Sequence, residues 1–338
     1  MKKLLVVACA SALAGCSSIS GLNLPQTAGE RAANYGYVPL DPLPIQTVAF
    51  AGTCRGRYFD SPEDGFLPLT QALPDVAVRF AVAEFRQGVG LQFGPSAITA
   101  KNQNYRAILD YVNSDSVTVR MLVRKYARIN GAIGYYPITE PIENARGDAV
   151  LAYQAQVIPG QFDYSDPDGS FELSGFTPAQ LDDAQKAALD GAGNDAAEGW
   201  QQVAFPIYVG VGFRLTADFQ ALKGDVALGG LGSIGANADA EKLSGSMTLQ
   251  SIGVNGLGTT TALALPNKLD QTTIEQSILA IGTGRALIYT DTEESKVRLS
   301  PRVIGLYSPV GSDPRLINAV YSELSTIRLP WARPCTGD

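Results

Sequence analysis

The chain has 338 residues, 45% hydrophobic and 17% charged, a globular balance that excludes a disordered chain and one that is membrane-spanning throughout. A net charge of −7, with Lys and Arg scattered along the chain, disfavours binding to nucleic acid. Histidine is absent, which excludes Ser–His and Cys–His catalytic pairs and histidine zinc sites and leaves carboxylate, lysine or tyrosine chemistry as the formal alternatives.

Met1-Lys2-Lys3 forms a short basic start, and Leu4 to Leu13 is almost wholly apolar or small. As a helix, about ten residues span only about 15 Å, half of a ~30 Å hydrocarbon core, so the segment reads as a signal peptide and not as a transmembrane anchor. It ends in Leu13-Ala14-Gly15-Cys16, followed by Ser17 and Ser18. This tetrapeptide resembles the lipobox of bacterial lipoproteins. The resemblance covers only the first sixteen or so residues and implies nothing about the mature fold. It implies cleavage before Cys16 and a diacylglycerol on its thiol, with the membrane as partner through several acyl chains at ~0.8 kcal/mol per buried methylene. Ser17, where an aspartate often retains the protein in the inner membrane, implies an outer-membrane address. Cys9 then falls in the discarded peptide, leaving Cys54 and Cys335 in an oxidising compartment, where an even remainder is expected to form a disulfide. The bridge would close a loop of roughly 280 residues, worth about 5 kcal/mol by chain-entropy reasoning. A reactive-thiol reading lacks both a Cys-x-x-Cys motif and an activating histidine.

Residues 1–15 are thus read as signal peptide and 16–45 as a lipidated tether rich in Ser, Gly, Asn and Pro. The tether closes on Tyr37-Val-Pro-Leu-Asp-Pro-Leu-Pro44, where proline forbids helix and weakens sheet pairing. Residues 46–338 form the folded body, with lobes at 46–160 and 200–338 around an acidic helical insert at 161–199. Val76, Val78, Phe80 and Val82 alternate along one strand; Tyr105–Val112 and Val117–Val123 flank Asn113-Ser-Asp-Ser116 as a predicted hairpin. In the insert, Thr177, Pro178 and Gln180 predict a helix start and Gly191 its end. Ile207, Val209, Val211, Phe213, Leu215 and Ala217 alternate with Tyr208, Gly210, Gly212, Arg214, Thr216 and Asp218, which predicts a half-buried antiparallel strand. Further strands are expected at Gly224–Leu228, Gly245–Val254, Arg285–Tyr289 and Val297–Leu306. Short helices are expected from Thr272 to Gly282 and from Asp313-Pro314 to Ser325. The fold class is α+β and β-rich, antiparallel sheets with a few short helices.

Motifs that could carry chemistry are weak. Gly230-Leu-Gly232-Ser-Ile-Gly235 matches a dinucleotide-binding pattern, but no acid follows at the spacing that holds a ribose, and it reads as a loop. Asp166-Pro-Asp168-Gly169, beside Asp163 and Glu172, invites calcium. In an EF-hand register, however, Tyr164 and Gly175 would occupy ligand positions, and the run reads as a tight turn. Neither Gly-x-Ser-x-Gly nor Ser-x-x-Lys occurs. The expected role is therefore a non-enzymatic envelope lipoprotein on the periplasmic face of the outer membrane, scaffolding or docking an envelope protein, with no catalytic, cofactor or metal residues. One alternative is a membrane-active β protein, because the strand at Ile207–Ala217 is long enough to cross a bilayer. Another is a histidine-free hydrolase using carboxylates.

Overall fold

In a computed structural model, residues 37–49, 69–73, 75–86, 90–93, 97–98, 102–129, 131–138, 150–162, 180–190, 198–223, 226–227, 231–255, 268–289, 298–311 and 313–333 are described. Strands β1 (Tyr37–Pro44) and β2 (Gln46–Ala49) come first, then helix α1 (Leu69–Ala72) and strands β3 (Asp75–Arg86), β4 (Gly90–Phe93) and β5 (Ala97–Ile98). Strands β6 (Asn104–Ile129), β7 (Ala132–Tyr136) and β8 (Val150–Val157) lead to helix α2 (Asp183–Leu189). Strands β9 (Gln201–Ala221) and β10 (Val226–Ala227), helix α3 (Leu231–Asp239), strands β11 (Leu243–Ile252) and β12 (Val254–Asn255), and helix α4 (Gln271–Tyr289) follow. Strands β13 (Arg298–Leu299) and β14 (Arg302–Tyr307), helix α5 (Pro314–Ile327) and strand β15 (Pro330–Arg333) complete the series. The β-rich α+β class read from the sequence is the class observed.

A nine-stranded sheet, antiparallel in its pairings, organises the molecule in the order β1-β14-β9-β6-β3-β4, with β11 also paired to β9 and β7 and β8 also paired to β6. Its spine is the β6–β9 ladder, continuous from Asn104↔Gln220 to Val123↔Gln201. Strands from the two expected lobes therefore lie side by side in one sheet. Ile207, Val209, Val211, Phe213, Leu215 and Ala217 are all buried in the main core, as their alternation predicts. The opposite face departs from expectation. From Gly210 to Arg214 it too is buried, because Val112, Ile252 and Ile304 close a second small core there with Tyr208 packed against it.

The expected hairpin at Asn113–Ser116 is not present; β6 runs straight through it. These residues favour turns because their side chains usually bond to local backbone. Here three of them have distant partners. Asn113 Nδ2 donates to the Tyr289 hydroxyl at 2.5 Å, Ser114 Oγ accepts from Arg79 Nη1 at 3.1 Å, and Asp115 Oδ2 accepts from Trp331 Nε1 at 2.9 Å. Asn113 and Ser114 are satisfied across the fold, and Asp115 is held by Trp331 even as its Oδ1 accepts from Ser116 N at 2.7 Å, so the backbone continues as strand.

Helices depart similarly. In α2 the cap is Asp182, whose carboxylate accepts from Gln185 N at 2.7 Å while Gln185 Oε1 accepts from Asp182 N at 2.9 Å. The expected start at Thr177 and stop at Gly191 lie outside the described residues. Asp270 caps α4 by accepting from Thr273 N at 2.8 Å. That helix continues past Gly282 to Tyr289 and takes in the strand expected at Arg285–Tyr289. Gly284 makes this seating possible, since a Cβ there would lie 2.4 Å from the Phe213 ring. The Gly230–Gly235 run, expected as a loop, opens helix α3, and Gly235 lets α3 approach the Gln271 backbone, where a Cβ would come within 2.8 Å. Helix α5 begins as expected, with Asp313 accepting from Arg315 N at 2.9 Å and Pro314 in the first turn.

The tether ends earlier than its prolines imply. Tyr37–Pro44 pairs with β14 from Tyr37↔Tyr307 to Pro44↔Arg302, so the sheet begins at Tyr37 and not at residue 46. Proline is tolerated because β1 is an edge strand whose register shifts between Pro39 and Leu43.

Candidate functional site

The polar centre of the molecule is a buried charge pair on the spine. Asp110 of β6 and Arg214 of β9 stand directly opposite each other in the ladder, 0% and 4% exposed. Arg214 Nε donates to Asp110 Oδ1 at 2.6 Å and Nη2 donates to Oδ2 at 2.7 Å, a two-pronged contact that planar guanidinium and carboxylate groups favour. Its remaining donors reach backbone: Nη1 to the Leu40 carbonyl at 2.5 Å and Nη2 to the Ile304 carbonyl at 2.8 Å. The Tyr37 hydroxyl donates to Asp110 Oδ2. Burying ions costs several kcal/mol each, and only such full pairing offsets that cost.

Tyr37 is placed by a close approach, its ring lying where a Cβ on Gly305 would collide with it at 2.4 Å. Tyr208 meets that ring edge-on at 5.5 Å. From β3, Arg79 lies over both rings, 5.3 Å from the centre of Tyr37 and 4.2 Å from that of Tyr208. Strand β3 therefore touches β1, although three strands separate them in the sheet order, and the sheet is rolled around this cluster.

The electrostatics make the cluster a clamp. Burial, reinforced by the Asp110 charge, pushes the Tyr37 hydroxyl well above its ordinary pKa, so it keeps its proton. Burial opposes the Arg214 charge, but hydrogen bonding and attraction to Asp110 outweigh it and hold the guanidinium above its ordinary value. Both oxygens of Asp110 are occupied by donors.

A second cluster sits at the other end of the spine. Arg124 lies 4.4 Å over the Trp200 ring and 5.3 Å from that of Tyr135, and pairs with Glu198 at 2.8 Å. Below it, Leu122, Ile158 and Trp200 pack against Leu181, Ala184 and Ala188 from the α2 region. A shallow groove lined by Phe85, Leu91, Tyr105 and Phe219 is crossed by the Arg106–Asp218 ion pair at 2.6 Å.

Cys16, Cys54 and Cys335 lie outside the described residues, as do the calcium candidates Asp163, Asp166, Asp168 and Glu172. The strands that lead toward Cys54 and Cys335 are described. β2 and β15 pair in parallel, ending at Ala49↔Arg333, five and two residues before the two cysteines. Among the described residues no cluster of three or more Cys, Asp or Glu is arranged to hold a metal ion, and no helix is long and apolar enough to cross a membrane. Ile207, Val209, Val211, Phe213, Leu215 and Ala217 of the strand long enough to cross a bilayer are enclosed by the core.

Sequence reading missed the Asp110–Arg214 pair. Its signal was a charge inside an apolar run, Ile108-Leu-Asp-Tyr-Val112, matched by another in Gly212-Phe-Arg-Leu215. Joining the two requires the register of strands about a hundred residues apart. The chain matches no protein-family model, no curated protein and no solved structure.

Proposed function

We propose that the chain is a lipid-anchored envelope protein whose body acts as a non-enzymatic scaffold or docking platform at the periplasmic face of the outer membrane. Its anchor is Cys16, acylated within the lipobox. The observation that carries the reading is where the N-terminal segment meets the body. The first strand after it, β1, is tied by Tyr37 and the Leu40 carbonyl into the buried Asp110–Arg214 pair. Tension on a lipid at Cys16 would enter the fold at a buried, multiply bonded charge pair. Such an attachment suits a body held against a membrane and loaded by a partner. The docked partner is an envelope protein.

Intact-mass analysis of the native protein tests the anchor. The expected species begins at Cys16 and carries acyl chains, and Cys16→Ser leaves the membrane fraction. An unacylated chain, or one beginning elsewhere, overturns the reading. A Cys54–Cys335 bridge belongs to the same proposal, supported by the parallel β2–β15 pairing. Non-reduced native protein should weigh two hydrogens less than the reduced form, and reduction should lower its unfolding free energy by roughly 2–4 kcal/mol.

A further inference from the structure

Helix α4 carries an apolar side that stays exposed. Ile278, Leu279 and Tyr289 are 48%, 72% and 45% exposed, and over residues 276–289 the only charge is Arg285. The exposed Thr283 spends its hydroxyl hydrogen inside the helix, on the Leu279 carbonyl at 3.1 Å. The helix sits on the main-core face of the spine, where its Gly284 meets the Phe213 ring. From there Arg285 donates to the Tyr111 hydroxyl, and Tyr289 accepts from Asn113. Tyr111 and Asn113 stand opposite Val78 and Val76 of β3, which share their face and are 60% and 47% exposed. Arg79 alternates to the other face, where it stacks on Tyr37 and Tyr208. The two valines therefore continue the α4 surface across β6, and Arg285 is the one charged residue that these contacts place within it.

We propose that this face lies on the surface of an anionic lipid bilayer, with Arg285 against headgroup phosphates and Leu279, Ile278, Val76 and Val78 at the boundary of the acyl chains. The contact rests on the anchor at Cys16. Residues 17–36 could reach at most about 70 Å, enough for the body to lie down on the bilayer that holds its lipid. Charge selects the headgroup. Arg285 lies 5.2 and 5.4 Å from the centres of the Tyr111 and Tyr289 rings and bonds to both hydroxyls, and among the described residues it has no carboxylate partner. Its remaining guanidinium hydrogens suit the oxygens of a phosphate. Aliphatic tips beside arginine and tyrosine are also what helices lying in a membrane interface present. A protein interface carries about one hydrogen bond per 100–200 Å², and the exposed residues from Ile278 to Ala286 offer no unspent side-chain donor for one.

Leu279→Cys in the full chain, carrying an environment-sensitive fluorophore and reconstituted into phosphatidylglycerol vesicles, tests the face. Lys186→Cys, whose lysine side chain is 60% exposed on α2 at the other end of the spine, marks a site away from it. The wild-type chain sets the labelling of the native cysteines, and circular dichroism checks each fold. The label at 279 should shift to the blue and be quenched by doxyl groups on the acyl chains, and the label at 186 should do neither. Adding Arg285→Gln should lower the ratio of lipid-buried to exposed label about fivefold in phosphatidylglycerol and leave it unchanged in phosphatidylcholine. An equal fall in both lipids overturns the headgroup role. Inorganic phosphate should release the label no more than sodium chloride of equal ionic strength does; release by phosphate alone would assign Arg285 to a soluble anion and overturn the membrane face. A label at 279 that stays unquenched on vesicles carrying the protein overturns the face and leaves the anchor standing, and a blue shift without quenching would put a protein surface there instead. Protein that fails to float with the vesicles overturns both.

Discussion

The strands β1 and β3 lie toward opposite ends of one sheet and are finished in opposite ways. β1 carries Pro39, Pro42 and Pro44 and a register shift between Pro39 and Leu43, devices that spoil an edge for further pairing. It is held from within by Tyr37 and the buried pair. β3 has no proline and no bulge over Asp75–Val82, and its Val76 and Val78 are exposed while Val82 enters the core. The difference separates two jobs that an edge can do. The first ties the start of the sheet to the buried pair; the second leaves Val76 and Val78 in solvent.

The sharpest way to break this contrast is to unpair the clamp. Arg214→Met leaves Asp110 buried without its main partner, and should cost about 3–5 kcal/mol in urea unfolding. The double variant Asp110→Leu, Arg214→Met removes both charges and should recover more than half of that loss. If the single and double variants were equally destabilised, the pair would matter for its volume and not its charge. Tyr37→Phe is milder. It removes one donor to Asp110 while keeping the ring, and should cost about 1–2 kcal/mol. Its signature is local, with faster amide exchange in β1 and little change in β3, because the phenylalanine keeps the ring on which Arg79 of β3 stacks.

The contrast also marks what could be read without coordinates. The stripe from Ile207 to Ala217 was legible because a period of two needs only local information, and every residue of it is buried. The cap of α5 was legible for the same reason, since Asp313 and Pro314 act on their own first turn. Asn113–Ser116 misleads because its partners Arg79, Tyr289 and Trp331 are far away in sequence, and no local pattern announces them. β1 misleads because proline excludes a central strand but not an edge strand, and which one it is depends on topology. α4 runs through two glycines because Phe213 needs one of them as a seat, a tertiary reason that overrides propensity. The candidate clamp was least visible of all. Asp110 and Arg214 each appear as a lone charge in an apolar strand, and only the ladder register makes them partners.

A third edge lies between the two extremes. β8 pairs with β6 on one side, and on the other its Val157 N–H donates to Glu323 Oε1 of α5 at 2.9 Å. A carboxylate here stops the edge but is itself half-buried. Burial raises the Glu323 pKa, and the Val157 N–H opposes only part of that rise. The sign follows for an acid whose folded-state pKa is raised. Its contribution to stability is fully present below the ordinary value of 4.5 and is lost as pH climbs through the folded value. Glu323→Gln keeps an oxygen for the Val157 N–H and removes the charge. At neutral pH it should therefore be slightly more stable than the wild type, by less than about 1 kcal/mol, with the gap closing on acidification through that window. A gap that stayed constant with pH would mean that the edge is stopped by the shape of the side chain and not by its charge.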